Sequence, residues 1–429
     1  MIDIRNKKIT VIGWQRSGVA LAKLITQAGG CARISEKKKE ADIDPGFVAD
    51  IKAMNVVVET GGHTEKFIHE SDMVVLSPGV HFNAPPVEWA RKKEICILGE
   101  IEFAFQFCQC PVIAVTGSNG KTTVSTLIDL VLRDAGYRSA LCGNVGNPFS
   151  NLALESSDKD YLVLEISSFQ LESLLPKDSV FLHRYTAFKN FRPYIGVWLN
   201  FSQNHLDRHK DLDEYFWAKA KLFSNQTKND FAVVNRRIPN IQKVLELTQS
   251  TPCFFGDDLS ENPNHAAVRT VAGILGIQEN ISTQVFSHFK GVEHRLEWVR
   301  TLNGVDFIND SKATTAEAGA WALKQMHKPV VLLCGGRDKN IDFSVLTDLV
   351  KDHVKKMIIY GEAKEKLKRT FASVVTWEEA GDFVQAVHRA QQAAATGDCV
   401  LLSPMCASFD MFRDYEERGR IYKKIVQEL

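Results

Sequence analysis

The sequence lacks an excess of either charge: its 429 residues carry 52 lysines and arginines against 52 aspartates and glutamates, so the formal net charge is zero. That balance argues against a general nucleic-acid binder, whose phosphate contacts need a basic excess. The chain also lacks any apolar run of the roughly 18 residues that a membrane-spanning helix needs. Its opening residues are too polar for a secretory signal. We therefore expect a cytoplasmic protein that binds neither nucleic acid nor membrane.

The sequence also lacks the paired cysteine or histidine motifs that predict a zinc site or a disulfide framework. No Cys-x-x-Cys pair occurs among the nine cysteines, and the closest approach is Cys108-Gln-Cys110. An odd number cannot all pair within one chain, and the cytosol favours reduced thiols. His205 and His209 are four residues apart, but the residues between them lack the glutamate of a metalloprotease helix. The sequence predicts neither a disulfide framework nor a zinc motif.

Short β-branched runs alternate with amphipathic stretches along the chain, the pattern of βαβ units and parallel sheets. The length suggests about three domains, which we place at residues 1–98, 99–293 and 294–429. We predict helices near 19–28, 121–135, 212–224 and 264–275. The predicted strands are Ile9–Gly13, Cys31–Ser35, Met73–Leu76, Val112–Thr116, Tyr161–Glu165, Tyr194–Asn200, Phe231–Asn235, Val305–Asn309, Val330–Cys334, Met357–Tyr360 and Cys399–Leu402.

A glycine-rich loop stands between a predicted strand and a predicted helix, with the sequence Gly117-Ser-Asn-Gly-Lys-Thr-Thr123. Glycines let the backbone approach a phosphate, and a helix N-terminus offers free N–H donors. Lys121 can place a positive charge on the phosphates, and Thr122 can offer its hydroxyl to Mg²⁺. Val115 stands where the eight-residue form of the motif has its first glycine. The alternative is a structural turn with a chance lysine.

The first turn, Gly13-Trp-Gln-Arg-Ser-Gly18, is a weaker signal. A dinucleotide fingerprint has glycine at its middle position, where this chain has Gln15. Ser17 and the following helix N-terminus could still hold a diphosphate. A turn that binds nothing explains the motif equally well.

Three further residues are candidates whose ordinary interpretation is structural. Glu165 ends an apolar strand, and the carboxyl ends of strands in open α/β sheets are where ligands bind, so it could hold Mg²⁺. His205 lies in Asn204-His-Leu-Asp-Arg-His209, and Lys219 lies on an amphipathic helix. Taken alone, each could equally be a surface residue or a satisfied core residue.

Five motifs in order identify a family. They are Thr116-Gly-Ser-Asn-Gly-Lys-Thr-Thr123, Leu164-Glu-Ile-Ser-Ser-Phe-Gln-Leu171, His205-Leu-Asp-Arg-His209, Asn309-Asp-Ser-Lys-Ala-Thr314 and Leu402-Ser-Pro-Met-Cys-Ala-Ser-Phe-Asp410. Together they resemble the Mur ligases, ATP-dependent amide-forming enzymes of peptidoglycan synthesis, and within them the members that add D-glutamate. The resemblance covers essentially the whole chain.

The resemblance implies an α/β fold of three domains, each on a mostly parallel sheet: Rossmann-like, then a phosphate-loop ATPase, then Rossmann-like. It implies that ATP phosphorylates the terminal carboxylate of UDP-N-acetylmuramoyl-L-alanine and that the amine of D-glutamate attacks the acyl phosphate. The process serves cell-wall biogenesis, cell shape and cell division. We expect a monomer whose macromolecular partners include neither nucleic acid nor membrane.

The resemblance also implies roles for individual residues. Lys121, Glu165, His205 and Lys219 would be catalytic, and Thr122, Glu165, His205 and an N-carboxylated Lys219 would hold two Mg²⁺ ions. ATP would contact Gly117, Ser118, Asn119, Gly120, Lys121, Thr122, Thr123, Asn264, Arg295 and Asp310. The UDP-sugar would contact Ser17, Glu36, Lys37, Lys38, Ser77, Asn144 and Gln170. D-Glutamate would contact Thr314, Lys339, Ser408, Phe409 and Tyr415.

Two departures from the family pattern bear on these assignments. The stretch Glu261-Asn-Pro-Asn264-His is shorter than the family's asparagine motif, which makes Asn264 the least secure position, and Gln15 replaces a glycine. Two other functions stay open. One is a related ligase that attaches a different amino acid or extends folate with glutamate; the other is a nucleotide-binding regulator without ligase chemistry.

Overall fold

The computed structural model describes residues 2–144, 146–174, 188–202, 208–289, 291–338 and 341–429. Its chain divides into two compact units, Met1–Phe289 and Lys290–Leu429. The first unit contains two sheets and the second contains one. Among the described helices, none combines the length and the apolar composition that crossing a bilayer demands.

The first sheet of unit 1 has the order β3-β2-β1-β4-β5, and its neighbouring strands are all parallel. The strands are β1 (Lys8–Ile12), β2 (Cys31–Ser35), β3 (Val57–Glu59), β4 (Met73–Leu76) and β5 (Cys96–Gly99). The helices are α1 (Arg16–Gln27), α2 (Pro45–Ala53), α3 (Glu65–His69), α4 (Pro85–Lys92) and α5 (Glu100–Phe105), with a 3₁₀ turn at Glu40–Asp42. The strand order reverses between β1 and β4, and such a switch point opens a crevice at the carboxyl ends of the strands.

Helix α1 shows how the sequence sets this layer. Its buried residues include Ala20, Leu21, Leu24 and Ile25, which recur at helical spacing and face the core. Gly18 packs where a side chain would not fit, because a Cβ there would lie 2.1 Å from the carbonyl oxygen of Gly13. The turn after β1 and the start of α1 are therefore held in close contact.

The second sheet of unit 1 has the order β11-β10-β9-β6-β8-β7 and is entirely parallel. The strands are β6 (Val112–Thr116), β7 (Ser139–Gly143), β8 (Tyr161–Glu165), β9 (Ile195–Trp198), β10 (Phe231–Asn235) and β11 (Thr251–Phe255). The helices are α6 (Lys121–Asp134), α7 (Phe149–Leu152), α8 (Ser168–Glu172), α9 (Leu212–Ala220), α10 (Ile241–Leu247), α11 (Pro263–Ile274) and α12 (Glu279–His288), with 3₁₀ turns at Leu154–Asp158 and Lys221–Phe223. Because β6 and β8 are neighbours, their carboxyl ends bring Thr116 and Glu165 to one edge of the sheet.

Unit 2 contains a sheet of order β12-β13-β17-β14-β15-β16, in which only the β12–β13 pair is antiparallel among the described strands. The strands are β12 (Glu297–Leu302), β13 (Val305–Asn309), β14 (Val330–Gly335), β15 (Val354–Tyr360), β16 (Trp377–Glu379) and β17 (Cys399–Leu402). The helices are α13 (Ala316–Lys324), α14 (Thr347–His353), α15 (Lys364–Phe371), α16 (Phe383–Ala393) and α17 (Tyr415–Glu428), with a 3₁₀ turn at Ser344–Leu346. Two hydrophobic clusters, on the two faces of this sheet, are formed by residues of unit 2 alone.

The predicted α/β fold with three mostly parallel sheets is confirmed. Every predicted strand is present, seven of them with the predicted bounds and the others shifted by a few residues. The boundaries at 98 and 293 stay predictions. The strands that the sequence did not reveal are β3, β5, β7, β11, β12 and β16.

Candidate functional site

The glycine-rich loop joins the carboxyl end of β6 to α6, as the sequence predicts. Gly120 precedes α6 with a φ of 80°, in the left-handed region that favours glycine. The loop is fixed by Asn200, the second residue after β9: the backbone N–H of Asn119 donates to Asn200 Oδ1 at 2.9 Å, and Asn200 Nδ2 donates to Asn119 O at 3.1 Å. Held in this way, the helix start can present its free N–H groups to an anion.

Two lysine side chains converge on the loop. Lys121 Nζ donates to the carbonyl oxygens of Gly117 at 2.8 Å and Ser118 at 3.1 Å. Lys219 Nζ, on α9, donates to the same Gly117 oxygen at 3.0 Å. The two Nζ atoms thus share one carbonyl oxygen, and a positive charge on either disfavours a charge on the other unless an anion such as a polyphosphate lies beside them.

Lys219 is only 1% exposed. Burial and then the positive charge of Lys121 set the pKa of Lys219 well below its ordinary value. The side chain is therefore biased toward the neutral amine, which is the nucleophilic form of lysine. The neighbouring Lys221 donates instead to the carbonyl oxygens of Glu172 and Leu174.

Glu165 ends β8 beside the loop and is 1% exposed. Its Oε1 accepts a hydrogen bond from Asn144 Nδ2 at 2.9 Å, whereas its Oε2 has no hydrogen-bond partner in the part of the chain that the structure describes. The hydroxyl of Thr116 at the end of β6 is also buried and has none there. A buried carboxylate oxygen without a partner is costly, and a cation can satisfy it. With the buried Thr122 in the first turn of α6, this oxygen donor set fits Mg²⁺.

Asn264 lies against the phosphate loop, although the sequence made it the least secure position. A Cβ on Gly120 would lie 2.7 Å from Asn264 Oδ1. Asn262 caps α11 by accepting from the backbone N–H of Asn264 at 2.9 Å, which fixes the start of that helix. Thr123 is half-buried in the first turn of α6.

Two residues near the loop were missed as functional candidates. Tyr215, fully buried on α9, has its hydroxyl 3.2 Å from Ser118 Oγ and its ring 4.7 Å from Lys219 Nζ. His209 is 2% exposed, lies 3.1 Å through Nε2 from Ser168 Oγ and packs beside the Tyr215 ring. Burial lowers its pKa. The spacing of Tyr215 and Lys219, four residues apart on one helix, was the available signal.

A cavity of about 220 Å³ lies at the switch point of the first sheet. Its lining includes four of the residues predicted for the UDP-sugar, which are Ser17, Ser77, Asn144 and Gln170. Gln15 also lines it. Gln170 is held by a reciprocal capping interaction with Ser167 at the start of α8. Residues from both sheets of unit 1 therefore line a single cavity.

Glu36 lies outside this cavity lining at the end of β2. Its Oε2 accepts from the backbone N–H of Trp14 at 2.6 Å and its Oε1 accepts from that of Lys38 at 2.9 Å. These two bonds tie the first turn to the end of β2. The side chains of Lys37 and Lys38 are exposed beside it.

In unit 2, Asp310 follows β13 and is 3% exposed. It accepts from the backbone N–H of Leu296 at 3.2 Å and from Ser403 Oγ at 3.0 Å. Burial raises its pKa to about 7, although these hydrogen bonds and the charge of Arg295 oppose the shift. Arg295, half-buried, thus lies within electrostatic reach of Asp310.

The segments predicted for D-glutamate are tied together by Arg418, which is fully buried. Its guanidinium donates to Ser311 Oγ at 2.9 Å, to Ser311 O at 2.8 Å and to Cys406 O at 3.2 Å. Ser311 Oγ in turn donates to Tyr415 O at 2.8 Å. Of the predicted contacts, Thr314 and Tyr415 are half-buried, Ser408 is buried and Phe409 is 54% exposed. Residues 205 and 339, predicted as a metal ligand and a D-glutamate contact, lie outside the described residues.

Comparison with protein families matches the chain along most of its length. Residues 7–99 match the Mur ligase MurD-like, N-terminal domain, residues 115–292 match the Mur ligase middle domain, and residues 294–406 match the Mur ligase, glutamate ligase domain.

Individual proteins give the same picture. The UDP-N-acetylmuramoylalanine--D-glutamate ligase of Koribacter versatilis (strain Ellin345) is 35% identical over 463 residues, covering 100% of this chain and 99% of that protein. The enzyme of the same name from Thermoanaerobacter sp. (strain X514) is 33% identical over 471 residues, covering 100% of both. Among solved structures, a UDP-N-acetylmuramate-alanine ligase from Thermotoga maritima has a TM-score of 0.58 at 15% identity, covering 99% of this chain and 100% of that one. That structural likeness concerns the fold.

Proposed function

Since this chain belongs to the Mur ligase family, we propose that it is the ATP-dependent ligase that joins D-glutamate to UDP-N-acetylmuramoyl-L-alanine. The observation that carries the proposal is the convergence of Lys121, Lys219 and the bare carboxylate oxygen of Glu165 at the phosphate loop. Full-length relatives named for this reaction support the choice of substrates.

The reaction has two steps. A carboxylate oxygen of the L-alanyl group attacks the γ-phosphorus of ATP, and ADP leaves. The amine of D-glutamate then attacks the carbonyl carbon of the acyl phosphate, and inorganic phosphate leaves as the amide forms. Phosphoryl transfer depends mainly on positioning and on charge neutralisation. The loop N–H groups and the Lys121 ammonium supply both to the β and γ phosphates.

The metal sites follow from the same residues. Mg²⁺, when bound, neutralises the phosphate charge that develops during transfer. Thr122 and Glu165 would hold one ion, and His205 with an N-carboxylated Lys219 would hold a second. The burial and lowered pKa of Lys219 support the carbamate, because the neutral form of lysine, which a lowered pKa favours, can add to carbon dioxide and become an anionic oxygen ligand.

The remaining assignments complete the substrate sites. For ATP, they are the loop residues Gly117, Ser118, Asn119, Gly120 and Thr123 with Asn264, Arg295 and Asp310. For the UDP-sugar, they are Ser17, Glu36, Lys37, Lys38, Ser77, Asn144 and Gln170, of which four share a cavity. For D-glutamate, they are Thr314, Lys339, Ser408, Phe409 and Tyr415. We further infer that the enzyme works in the cytoplasm as a monomer, and that its domains are residues 1–98, 99–293 and 294–429.

Phosphate release from ATP tests the function directly. The purified chain is assayed with UDP-N-acetylmuramoyl-L-alanine and Mg²⁺, with and without D-glutamate, and the amide product is identified by mass spectrometry. We expect product only when all substrates are present, and little with L-glutamate, L-alanine, glycine or a folate with L-glutamate. Product with another amino acid or with folate would identify a related ligase. ATP binding without any product would identify a regulator.

A further inference from the structure

A second, larger cavity lies at the end of the second sheet opposite the phosphate loop. Its volume is about 650 Å³, which is within the range of small-molecule sites. Val112 begins β6, Tyr194 immediately precedes β9, and Asp230 immediately precedes β10; all three line the cavity. The cavity is therefore at the amino ends of the strands, whereas the phosphate loop is at the carboxyl end of β6.

The cavity is lined by the closest cysteine pair of the sequence, Cys108 and Cys110. Cys108 is 7% exposed, with its Sγ 3.4 Å from the carbonyl oxygen of Cys110, and Cys110 is half-buried. The Cys110 thiol stabilises the Cys108 thiolate and outweighs the opposing effect of burial; with smaller contributions from Ser156, the Cys110 backbone and the charge of Lys189, it lowers the pKa of Cys108 to about 7. The same pairing, with burial, raises the pKa of Cys110. One thiol of the pair is thus prepared to attack at neutral pH and the other is not.

Polar groups on the wall indicate what could reach these thiols. Lys189 and Arg192 line the cavity and are exposed. Arg192 Nε lies 3.6 Å from Asp230 Oδ2. Asn225 is 7% exposed, yet its Oδ1 has no hydrogen-bond partner within the described segments, and neither has Asn190 Nδ2. Buried amide groups left without partners are rare in folded proteins. A ligand that carries carboxylates would pair with the cations, and amide groups on it match the chemistry of the amide side chains in the lining.

We propose that Cys108 undergoes thiol–disulfide exchange with a small, anionic peptide disulfide of the glutathione type. The Cys108 thiolate attacks one sulfur of the disulfide, a Cys108–S–S–R bond forms, and the other half leaves as a thiolate that takes a proton from water. Cys110, after losing its proton to solvent, can then attack Cys108 Sγ and release the second small thiol. The net change oxidises two protein thiols and reduces one disulfide to two thiols.

The Cys108–Cys110 bond would be labile. Residues two apart in an extended chain have Cα atoms about 7 Å apart, at the upper limit for a disulfide. We therefore expect the mixed disulfide to be the main product and the intrachain bond to be readily reduced.

Peptide mass spectrometry after incubation of the full chain with oxidised glutathione at neutral pH tests the site. We expect the glutathionyl group on Cys108, or the Cys108–Cys110 bond, to appear before any adduct on the exposed Cys31. Cys108→Ser should remove both products, Cys110→Ser should keep the adduct, and Cys31→Ser should change neither. An adduct that forms first on Cys31, or equal modification of the Cys108→Ser variant, would overturn the proposal.

Two further measurements separate this site from simple exposure. The alkylation rate of Cys108 by iodoacetamide in the wild type should level off above about pH 7 rather than near 8.5, the pKa of an ordinary thiol. Lys189→Gln should slow the reaction with oxidised glutathione by about threefold and leave the reaction with neutral hydroxyethyl disulfide unchanged, while the exposed control Lys210→Gln affects neither. An alkylation rate of Cys108 with its inflection near pH 8.5 would contradict the proposed site. Equal slowing of Lys189→Gln with oxidised glutathione and with hydroxyethyl disulfide would contradict the proposed recognition.

Discussion

At the scale of single residues, the phosphate loop depends on the charge of Lys121. Its ammonium donates to two loop carbonyl oxygens and so already lies at the place where phosphates should bind. We expect Lys121→Ala to lower the turnover number by at least ~10²-fold, because one electrostatic donor to the transition state is lost. The measurement is steady-state phosphate release at saturating substrates. The exposed Lys23→Ala on α1 is the control, and a folded Lys121→Ala enzyme within threefold of wild type would exclude this role.

Lys219 allows a chemical test of the carbamate. Lys219→Ala should be nearly inactive, because it removes the proposed oxygen ligand of the second Mg²⁺. Short carboxylates such as acetate should restore part of the activity by entering the vacated space. Rescue is measured as ligase rate against acetate concentration, with Lys221→Ala as the control that acetate does not affect. Full activity of the Lys219→Ala enzyme in the absence of acetate would exclude the carbamate from the mechanism.

Asp310 makes stability depend on pH with a defined sign. Its pKa is about 7 in the folded protein against an ordinary 3.8, so the unfolded chain releases this proton first. The folded state therefore loses stability as pH rises from about 4 to 7, by up to roughly 4 kcal/mol. Urea unfolding of wild type and Asp310→Asn at pH 5 and pH 8 should show the variant relatively more stable at pH 8.

Asp306 on the preceding strand β13 provides the contrast. The hydrogen bond from Lys328 and that from Thr301 lower the pKa of Asp306, so its ionised form is favoured in the folded state. Asp306→Asn should therefore lose stability relative to wild type above pH 4, the opposite sign. For Asp310, a free energy of unfolding that depends on pH equally in wild type and in Asp310→Asn would mean that its pKa is the same in the folded and unfolded chain.

At the scale of elements, the start of α6 depends on Gly120. A side chain there faces two penalties: the φ of 80° is strained for any residue with a Cβ, and that Cβ would lie 2.7 Å from Asn264 Oδ1. Gly136, after the same helix, has a φ of 89°, but a Cβ added there would meet no heavy atom within 4 Å among the described residues, so it isolates the strain alone. We expect Gly120→Ala to raise the KM for ATP well beyond any effect of Gly136→Ala. Gly120→Ala should also lower the free energy of unfolding, and adding Asn264→Ala should recover the part of that loss that comes from the close contact. No recovery would show that Asn264 does not press on the loop.

The strands that the sequence failed to reveal share one property. All six are the outer strands of their sheets: β3 and β5, β11 and β7, β12 and β16. Inner strands are covered on both faces and read as continuous β-branched runs, whereas an outer strand can be short or partly exposed and loses that signal. Val57–Glu59 and Trp377–Glu379, for example, have three residues each and no buried residue.

At the scale of the whole molecule, unit 2 should fold by itself. Its two hydrophobic clusters contain residues of unit 2 alone, so its sheet does not need unit 1 to bury its apolar faces. We expect a fragment of residues 290–429 to show α/β circular dichroism and one cooperative thermal transition. It should have no ligase activity, because the phosphate loop is in unit 1. A fragment without a cooperative transition would show that the core depends on the rest of the chain.

Unit 1 does not divide as simply. One hydrophobic cluster runs from Ile4 through Phe107 to Trp198 and therefore includes side chains from both sheets. The predicted boundary at residue 98 is near the end of β5, yet the packing continues across it. Limited proteolysis that cleaves near residue 98 and releases two folded parts would support the boundary.

The sequence by itself determined the strand–helix alternation, the phosphate loop, the three-sheet fold and the family, because these depend on local periodicity and on contiguous motifs. Tertiary structure decided what no local pattern contains. Parallel pairing of β6 with β8 brought Glu165 beside the loop, and burial on α9 lowered the pKa of Lys219. Folding also set Asn264 against Gly120 and gathered Cys108 with Lys189 around one cavity. Such effects arise from side chains distant in sequence that share one space, and only the packed chain fixes which side chains those are.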